Sequence, residues 1–286
     1  MAALNPGGRH RDLRPTMTSD HAFSLIALRC LESMVAHQDA TVRGESAALH
    51  QMRISVTCLK AAVSFFSPVV AGDQWRRIKL EFKWLNSHLG AARDLDVVVG
   101  QLLAGGNAHS LTPELKQQWS ASHARVAASL RSDRYRRLIA AAADWIQHGE
   151  WRSADTAASK PARAATIEAY ASQRLGRWLA QILRQSSKLG IMDADTRHRL
   201  RIKTKRVRYA MEWFGEFLPG STPQTLRAIL KQLRRAQGCL GELNDAERAR
   251  ALLEPGKRRA TLPKRDRRLV KTTQLAFEAL IELTQG

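Results

Sequence analysis

The sequence predicts an all-α protein, and three observations support this. Apolar residues recur at the three- and four-residue spacing of an amphipathic helix along most of the 286 residues. No segment alternates between polar and apolar residues for long, as a half-buried strand would. Glycine and proline divide the pattern into segments of ordinary helix length. With a hydrophobic content of 44%, the chain can bury a core as one large domain or as two smaller ones.

Start and stop signals place the helices of the first half. Ser19 or Asp20 is expected to cap the first helix. A later helix is expected to end before Ser67-Pro68, because the residue before a proline avoids the α region. Thr112-Pro113-Glu114 and Ser132-Asp133 are typical helix starts. The expected helices cover about 20–35, 41–66, 73–89, 94–103, 112–130 and 133–145.

The second half repeats this style after a linker. Residues 149–164, which begin small and polar, are the expected linker between a first helical repeat at about 20–150 and a second at about 165–285. Pro219 and Pro223 break the second repeat. Residues 1–19 are expected to form a flexible basic tail. The expected helices cover about 165–189, 193–218, 225–238, 244–253 and 264–283.

The charge balance points to an anionic partner. The chain has 46 Lys and Arg but only 26 Asp and Glu, a formal net charge of +20. Such an excess suits nucleic acid, a phosphate polymer or a membrane surface, and composition does not choose among them. No apolar run approaches the roughly 20 residues that span a bilayer, and the N-terminal residues lack a signal-peptide core. The expected location is the cytoplasm.

Signatures of catalysis are missing from the sequence. We find no Walker-type glycine loop, no nucleophile motif and no metal-binding cluster. The three cysteines, Cys30, Cys58 and Cys239, are widely spaced and odd in number, so they are expected to be small buried residues and not disulfides or zinc ligands. The sequence therefore favours a binding protein without a cofactor over an enzyme.

The most basic segment is the helix predicted between Arg197 and Phe214. Seven Lys or Arg residues and no acid occur between Arg197 and Arg208. At about 100° per residue, four basic side chains fall within an arc of roughly 80°, opposite an apolar side. They are His198, Arg201, Lys205 and Arg208. Like charges at this spacing destabilise a helix, so a polyanion ligand explains them better than a merely solvated surface does.

The basic segment has a counterpart in the first half of the chain. Residues 50–60 match residues 198–208 at an offset of 148, sharing His, Arg and Ile, and Lys60 meets Arg208. Residues 89–96 match residues 240–247 at an offset of 151 through Leu-Gly and Asp. Two motifs in the same order define an internal repeat, and such copies commonly pack about a pseudo-twofold axis.

This doubled pattern resembles the CHAD family, the conserved histidine α-helical domains. The resemblance rests on His-x-[Met/Leu]-Arg-Ile, a cationic helix and Leu-Gly-x-x-x-Asp, each present twice, and it covers about residues 20–285. It implies two antiparallel four-helix bundles related by an internal pseudo-twofold repeat. It also implies a central basic groove that binds inorganic polyphosphate.

The matched positions give the candidate polyphosphate-binding residues. In the first repeat they are His50, Arg53, Lys60, Arg76, Lys79 and Lys83. In the second they are His198, Arg201, Lys205, Arg206, Arg208, Arg227, Lys231, Arg234 and Arg235. The resemblance leads us to expect basic residues where this chain has Thr57 and Cys58. The first repeat is therefore expected to be the less cationic one.

The two matched histidines have two open interpretations. His50 and His198 each lie near a helix start, where the side chain could pack or cap. Alternatively, each donates a hydrogen bond to phosphate, which would favour the charged imidazolium. A metal site is disfavoured because neither has a His or Cys three or four residues further on.

The acidic residues of the second motif also have two interpretations. They are Asp94, Asp96, Asp245 and Glu247. Such carboxylates could hold magnesium. The preferred interpretation is that Gly90 and Gly241 end helices with positive φ, and that Asp94 and either Asn244 or Asp245 cap the next ones.

These observations predict a non-catalytic polyphosphate-binding protein that associates with polyphosphate granules. The first alternative is a nucleic-acid-binding or granule scaffold protein. It is disfavoured because the seven tryptophans lie mostly on apolar stripes and only Tyr209 lies near the basic face. The second alternative is a metal-dependent polyphosphate-processing enzyme that uses the carboxylates. The sequence does not indicate an oligomeric state.

Overall fold

The structure, a computed structural model, describes residues 12–70, 72–104, 111–154, 159–253 and 263–285. The regular structure of these residues is helical, without a strand, which confirms the all-α prediction. The helices are α1 (Ser19–Ala36), α2 (Gln38–Val42), α3 (Ser46–Phe65), α4 (Ser67–Val70), α5 (Asp73–Ala104), α6 (Pro113–Arg131), α7 (Asp133–His148), α8 (Ser159–Ala164), α9 (Ile167–Ser186), α10 (Ala194–Phe214), α11 (Pro223–Leu253) and α12 (Lys264–Gln285). Short 3₁₀ turns cover Glu150–Arg152, Leu189–Ile191 and Gly215–Phe217.

The chain divides into two compact units, Met1–Ala165 and Thr166–Gly286. In the second unit, α10 packs between α9 and α11, α11 packs on α12, and α12 returns to contact α9. Four long helices thus enclose one core. Its fully buried side chains include Leu175, Leu200, Leu233, Leu240 and Leu280.

The first unit contains the corresponding helices α1, α3, α5 and α6 and one further long helix, α7. Helix α3 packs on α1 and α5, and α5 packs on α6, while α7 contacts all of α1, α5 and α6. Aromatic rings fill the space beside α7. The ring of Phe23 lies 5.6 Å from those of Phe66 and Trp145 and 5.3 Å from that of Trp151.

The two units bury equivalent positions of their basic helices. At the offset of 148, Met52 and Leu200, Leu59 and Val207, Phe65 and Trp213, and Phe66 and Phe214 are buried pairs. At the offset of 151, Ile78 and Ile229, Phe82 and Leu233, Leu89 and Leu240, and Ala92 and Leu243 are buried pairs. The internal repeat therefore extends from the sequence motifs to the side chains that each unit buries.

Two predicted helix breaks are wrong. Helix α5 continues through Gly90, and α11 continues through Gly241 and the predicted gap at 239–243. Among the described residues, positive φ occurs only at Gly44 (88°) and Gly220 (70°). A glycine inside a helix costs only about 1 kcal/mol. Burying a large apolar side chain on the same helix is worth about 1.5–3 kcal/mol, so an uninterrupted helix is favoured.

Helix α3 also starts later than predicted. The pattern favoured a helix from Thr41, but the chain forms the short helix α2, turns at Gly44 and begins α3 at Ser46. The turn needs the left-handed backbone conformation that glycine adopts without a Cβ clash. Two other start signals are confirmed, since Thr112 accepts from the backbone N–H of Leu115 and Ser132 from that of Tyr135. The predicted cap of the first helix is wrong, because Thr18 precedes α1 and both Ser19 and Asp20 lie in its first turn.

Residues 12 and 13 of the predicted tail and parts of the predicted linker pack within the first unit. Leu13 is buried and Asp12 forms an ion pair with Arg29, whereas residues 1–11 lie outside the described residues. In the predicted linker, Trp151 is buried and its carbonyl oxygen accepts a hydrogen bond from Arg163 at 3.0 Å.

Asp96, one of the four singled-out carboxylates, is a structural residue. Its Oδ1 atom accepts hydrogen bonds of 2.8 Å from Trp119 Nε1 and from His123 Nε2, and the carboxylate is 1% exposed. Its neighbour Asp94 is 64% exposed and lies 3.8 Å from Arg53. The two acids of one motif therefore have different surroundings. Because Asp94, Asn244 and Asp245 lie inside α5 and α11, the predicted capping role is wrong.

We predict that Asp96→Ala lowers the free energy of unfolding by about 2 kcal/mol, because two buried donors lose a charged acceptor. Asp96→Asn keeps an acceptor oxygen and should cost about 1 kcal/mol. Asp94→Ala is the matched control, expected to change stability by less than about 0.5 kcal/mol. Urea unfolding followed by circular dichroism measures all three. An equal loss in Asp94→Ala would contradict the structural role of Asp96.

Candidate functional site

The second-unit basic face consists of the cationic side of α10 and the adjoining exposed side of α11. The two helices are antiparallel, because His198 contacts Asn244 near one end and Arg234 contacts Glu212 near the other. Opposed directions bring residues of the two matched motifs together although the motifs are more than 30 residues apart in the sequence. The face is therefore built by tertiary packing of the repeat.

His198 is exposed and is oriented by Asn244. Its Nδ1 atom lies 2.8 Å from the side-chain oxygen of Asn244. Since an amide oxygen only accepts hydrogen bonds, Nδ1 carries the proton and Nε2 is left for a ligand. Nε2 donates to a phosphate oxygen only in the imidazolium form. The motif predicted His198 as a site residue, but Asn244 was predicted to be a helix cap, so this contact was not predicted.

Arg201 lies directly against Gly241. A Cβ atom at position 241 would be 3.5 Å from Arg201 Nε, an ordinary contact distance. Arg201 Nε is buried and has no hydrogen-bond partner among the residues that the structure describes. The side chain is half-buried as a whole. The Nε atom is thus unsatisfied among the described residues but is not accessible to a ligand, so a phosphate would meet the terminal nitrogens of this guanidinium.

Arg208 belongs to a network that holds α10 to α11. Its Nε atom donates to Gln237 at 2.8 Å, and its Nη1 atom donates to both oxygens of Glu212 at 2.7 and 2.8 Å. Arg234 donates to the same carboxylate at 2.8 Å. The side chains of Arg208 and Glu212 are 14% and 10% exposed. Arg208, predicted as a ligand contact, thus already has a nearly buried acid as its partner.

The remaining predicted cations of this unit lie at the surface. Lys205 is half-buried, with its Nζ atom 5.9 Å from the centre of the Tyr209 ring. Arg206 lies about 100° around α10 from Lys205, off the main stripe. The exposed side chains are Arg206, Arg227, Lys231, Arg234 and Arg235.

The first-unit basic face is formed in the same way by α3 and α5. Arg53 of α3 lies 3.8 Å from Asp94 of α5. Burial, and to a smaller extent the nearby charge of Lys79 on α5, lower the pKa of Lys60 on α3. Arg76 is paired with Asp73 at 2.6 Å. His50, Arg76, Lys79 and Lys83 are exposed. Arg76 and Lys83 precede Arg227 and Arg234 by 151 residues, the offset of the second motif.

The first face is less cationic than the second, in line with the sequence analysis. Thr57 occupies the position of Lys205, and its hydroxyl donates to the Arg53 carbonyl at 2.9 Å. Cys58 occupies the position of Arg206 and is fully buried. Two of the five cations predicted in this unit, Arg53 and Arg76, have a carboxylate within 4 Å. The second unit therefore presents more positive charge for an anion.

Other chemistries receive little support from the described part of the chain. No group of three or more His, Cys, Asp or Glu residues there could hold a metal ion. None of its helices is long and apolar enough to cross a membrane. The basic cluster at residues 257–259, which the sequence also contains, lies outside the described residues.

Comparison with known proteins identifies the family. The model of the CHAD domain matches residues 25–254, about four fifths of the chain. The structure is similar to the crystal structure of the CHAD domain from the plant Ricinus communis, with a TM-score of 0.70 and 24% sequence identity over 96% of this chain and 94% of that one. No curated protein sequence matches significantly. The chain belongs to the CHAD domain family, and the resemblance predicted from its motifs is confirmed.

Proposed function

We propose that this protein binds inorganic polyphosphate through the two basic faces, without catalysing a reaction. The observation that carries the proposal is the second-unit basic face. Eight Lys and Arg residues lie on or beside it, and Glu212, near one end, is nearly buried between Arg208 and Arg234. The exposed charge of the face is therefore mainly positive, and the exposed carboxylate of Asp245 lies beside Asn244.

The chemistry of these side chains suits a flexible phosphate polymer. Arginine offers planar pairs of donors to phosphate oxygens, and lysine offers a mobile point charge. A mixture of both accommodates a chain without a fixed register. Binding of this kind releases counterions and weakens as salt rises. No proton has to move, so no catalytic base is required.

Polyphosphate is favoured over nucleic acid because the face lacks an available aromatic ring. Proteins that bind single strands commonly stack bases on exposed aromatic side chains. Tyr209, the aromatic residue within the stripe of α10, is 4% exposed, and the guanidinium of Arg208 lies 4.2 Å from its ring centre. A base cannot stack on a ring covered in this way.

The proposed role is a cytoplasmic protein that associates with polyphosphate granules by binding the polymer. A processing enzyme would need carboxylates that can hold a divalent metal. Asp96 is instead bonded to Trp119 and His123, and Asp94 lies near Arg53. These contacts favour the non-catalytic proposal over the enzyme.

A competition assay tests this proposal. The protein is bound to a fluorescent DNA duplex at about 0.15 M salt, and long-chain polyphosphate or unlabelled DNA is added at equal charge concentration. We expect polyphosphate to displace the duplex at a concentration at least tenfold lower than DNA does. Equal displacement would favour the nucleic-acid alternative. Shortened polyphosphate chains after incubation with magnesium would favour the enzyme.

A further inference from the structure

A cavity between α5 and α7 of the first unit lies apart from the basic face. Its volume is about 670 Å³, within the range of about 300–1,000 Å³ typical of small-molecule sites. On α5, Glu81 of the cavity lies about 160° around the helix from Lys83 of the basic face. Helix α7, which forms the other wall, has no counterpart among the four long helices of the second unit. The cavity is therefore a feature of the first unit alone.

The floor of the cavity is apolar. Ile78, Leu138 and Trp145 line it and are 7%, 2% and 2% exposed. Leu80 lines it as well and is 64% exposed, unusually high for a leucine. An apolar ligand would therefore remove mainly the surface of Leu80 from water. The floor thus favours a ligand with an aromatic ring or a hydrocarbon body.

The polar lining carries one net positive charge. Arg77, Arg134 and Arg137 contribute three positive charges, and Glu81 and Asp144 contribute two negative ones. Arg134 is held by Glu81 through hydrogen bonds of 2.6 and 3.1 Å and lies over the Trp84 ring, with its Cζ atom 4.2 Å from the ring centre. One anionic group on a ligand would neutralise the lining. Further anionic groups on the ligand would exceed this single net charge.

Two of the three arginines are available to a ligand. Arg77 on α5 and Arg137 on α7 are exposed, and neither forms a hydrogen bond or a close ion pair with another described residue. The hydrogen bond from Arg134 and, to a smaller extent, the nearby charge of Arg137 lower the pKa of Glu81. The guanidinium group binds carboxylate, sulfonate or phosphate oxygens through paired N–H donors. One such arginine from each helix can therefore hold the anionic end of a ligand whose apolar body covers Leu80.

We propose that this cavity binds a small organic molecule with an apolar body and a single anionic group. The proposal is independent of polyphosphate binding, because it uses none of the cations of the two basic faces. The cavity adds a second kind of anion site to the protein. The cavity suits a ligand with one negative charge and an apolar body. The basic faces suit a polymer with many negative charges and no apolar body.

The experiment uses a fluorescent probe of this chemistry, 8-anilinonaphthalene-1-sulfonate, with the full chain at about 0.15 M salt. We expect one binding site per chain and no displacement by saturating polyphosphate. The neutral analogue N-phenyl-1-naphthylamine has the same rings without the sulfonate, and it should bind at least about tenfold more weakly. Equal binding of the two probes, or displacement by polyphosphate, would overturn the proposal.

Variants localise the probe. Arg77→Gln/Arg137→Gln should weaken binding of the sulfonate probe at least about tenfold and leave the neutral analogue unchanged. Ala141→Phe, which places a ring in the cavity from an exposed position of α7, should weaken both probes. Arg136→Gln, on the same helix but outside the cavity, is the control. Thermal melts confirm that each variant folds. If folded Arg77→Gln/Arg137→Gln and Ala141→Phe bind both probes as the unaltered protein does, the site is elsewhere and the proposal fails.

Discussion

Replacing Arg201 and Lys205 together by glutamine is expected to weaken polyphosphate binding roughly 100-fold. We expect each side chain to contribute about 1.5 kcal/mol of binding free energy through one phosphate contact. A loss of about 1.4 kcal/mol raises the dissociation constant tenfold. Arg201 is preferred to Arg208 because it has no carboxylate partner among the described residues, whereas Arg208 is engaged by Glu212 and Gln237. Titration of a labelled polyphosphate measures the affinity.

The salt dependence of the same titration separates specific contacts from bulk charge. Losing two phosphate contacts should reduce the slope of log affinity against log salt by about 1.4, taking the value for a single strand. Lys264→Gln/Lys271→Gln is the matched control, since it removes the same charge from exposed positions of α12. We expect the control to bind within about threefold of the unaltered protein. Equal losses in both double variants would mean that binding follows net charge and not the second-unit basic face.

The sequence predicted the all-α fold and the buried side of α10 because both depend on local patterns. Helical periodicity places Leu200, Val207 and Phe214 in the core, and all three are buried. The same periodicity places Arg201 and Lys205 on the opposite side. The repeat also matches buried positions. Phe66 and Phe214, which are 148 residues apart, are both fully buried.

The partners of the basic residues could not be predicted because they depend on the pairing of α10 with α11. His198 and Asn244 are 46 residues apart, Arg208 and Gln237 are 29 apart, and Arg234 and Glu212 are 22 apart. Because Gly241 was predicted to end a helix, Asn244 was predicted to cap the next one, and its contact with His198 was not predicted. Glu212 offered a local signal, because it lies four residues after Arg208 and such acid–base pairs share one side of a helix.

The second large effect is expected at Glu212, whose replacement should destabilise the second unit. In Glu212→Ala, Arg208 loses both carboxylate oxygens while it remains 14% exposed, and Arg234 loses its acceptor. Breaking a nearly buried ion pair by removing one partner costs about 3 kcal/mol or more, because the other charge stays buried without compensation. Urea unfolding measures the loss. Glu278→Ala, at an exposed position of α12, should change stability by less than about 0.5 kcal/mol.

A double variant shows whether the cost arises from the pair. Glu212→Ala/Arg208→Gln removes the uncompensated guanidinium as well, so its destabilisation should be smaller than the sum of the two single variants by about 1 kcal/mol or more. Simple additivity would mean that Arg208 and Glu212 do not depend on each other. Coupling would mean that part of the cationic stripe stabilises the α10–α11 pair. Polyphosphate binding would then rely chiefly on Arg201, Lys205 and the exposed cations of α11.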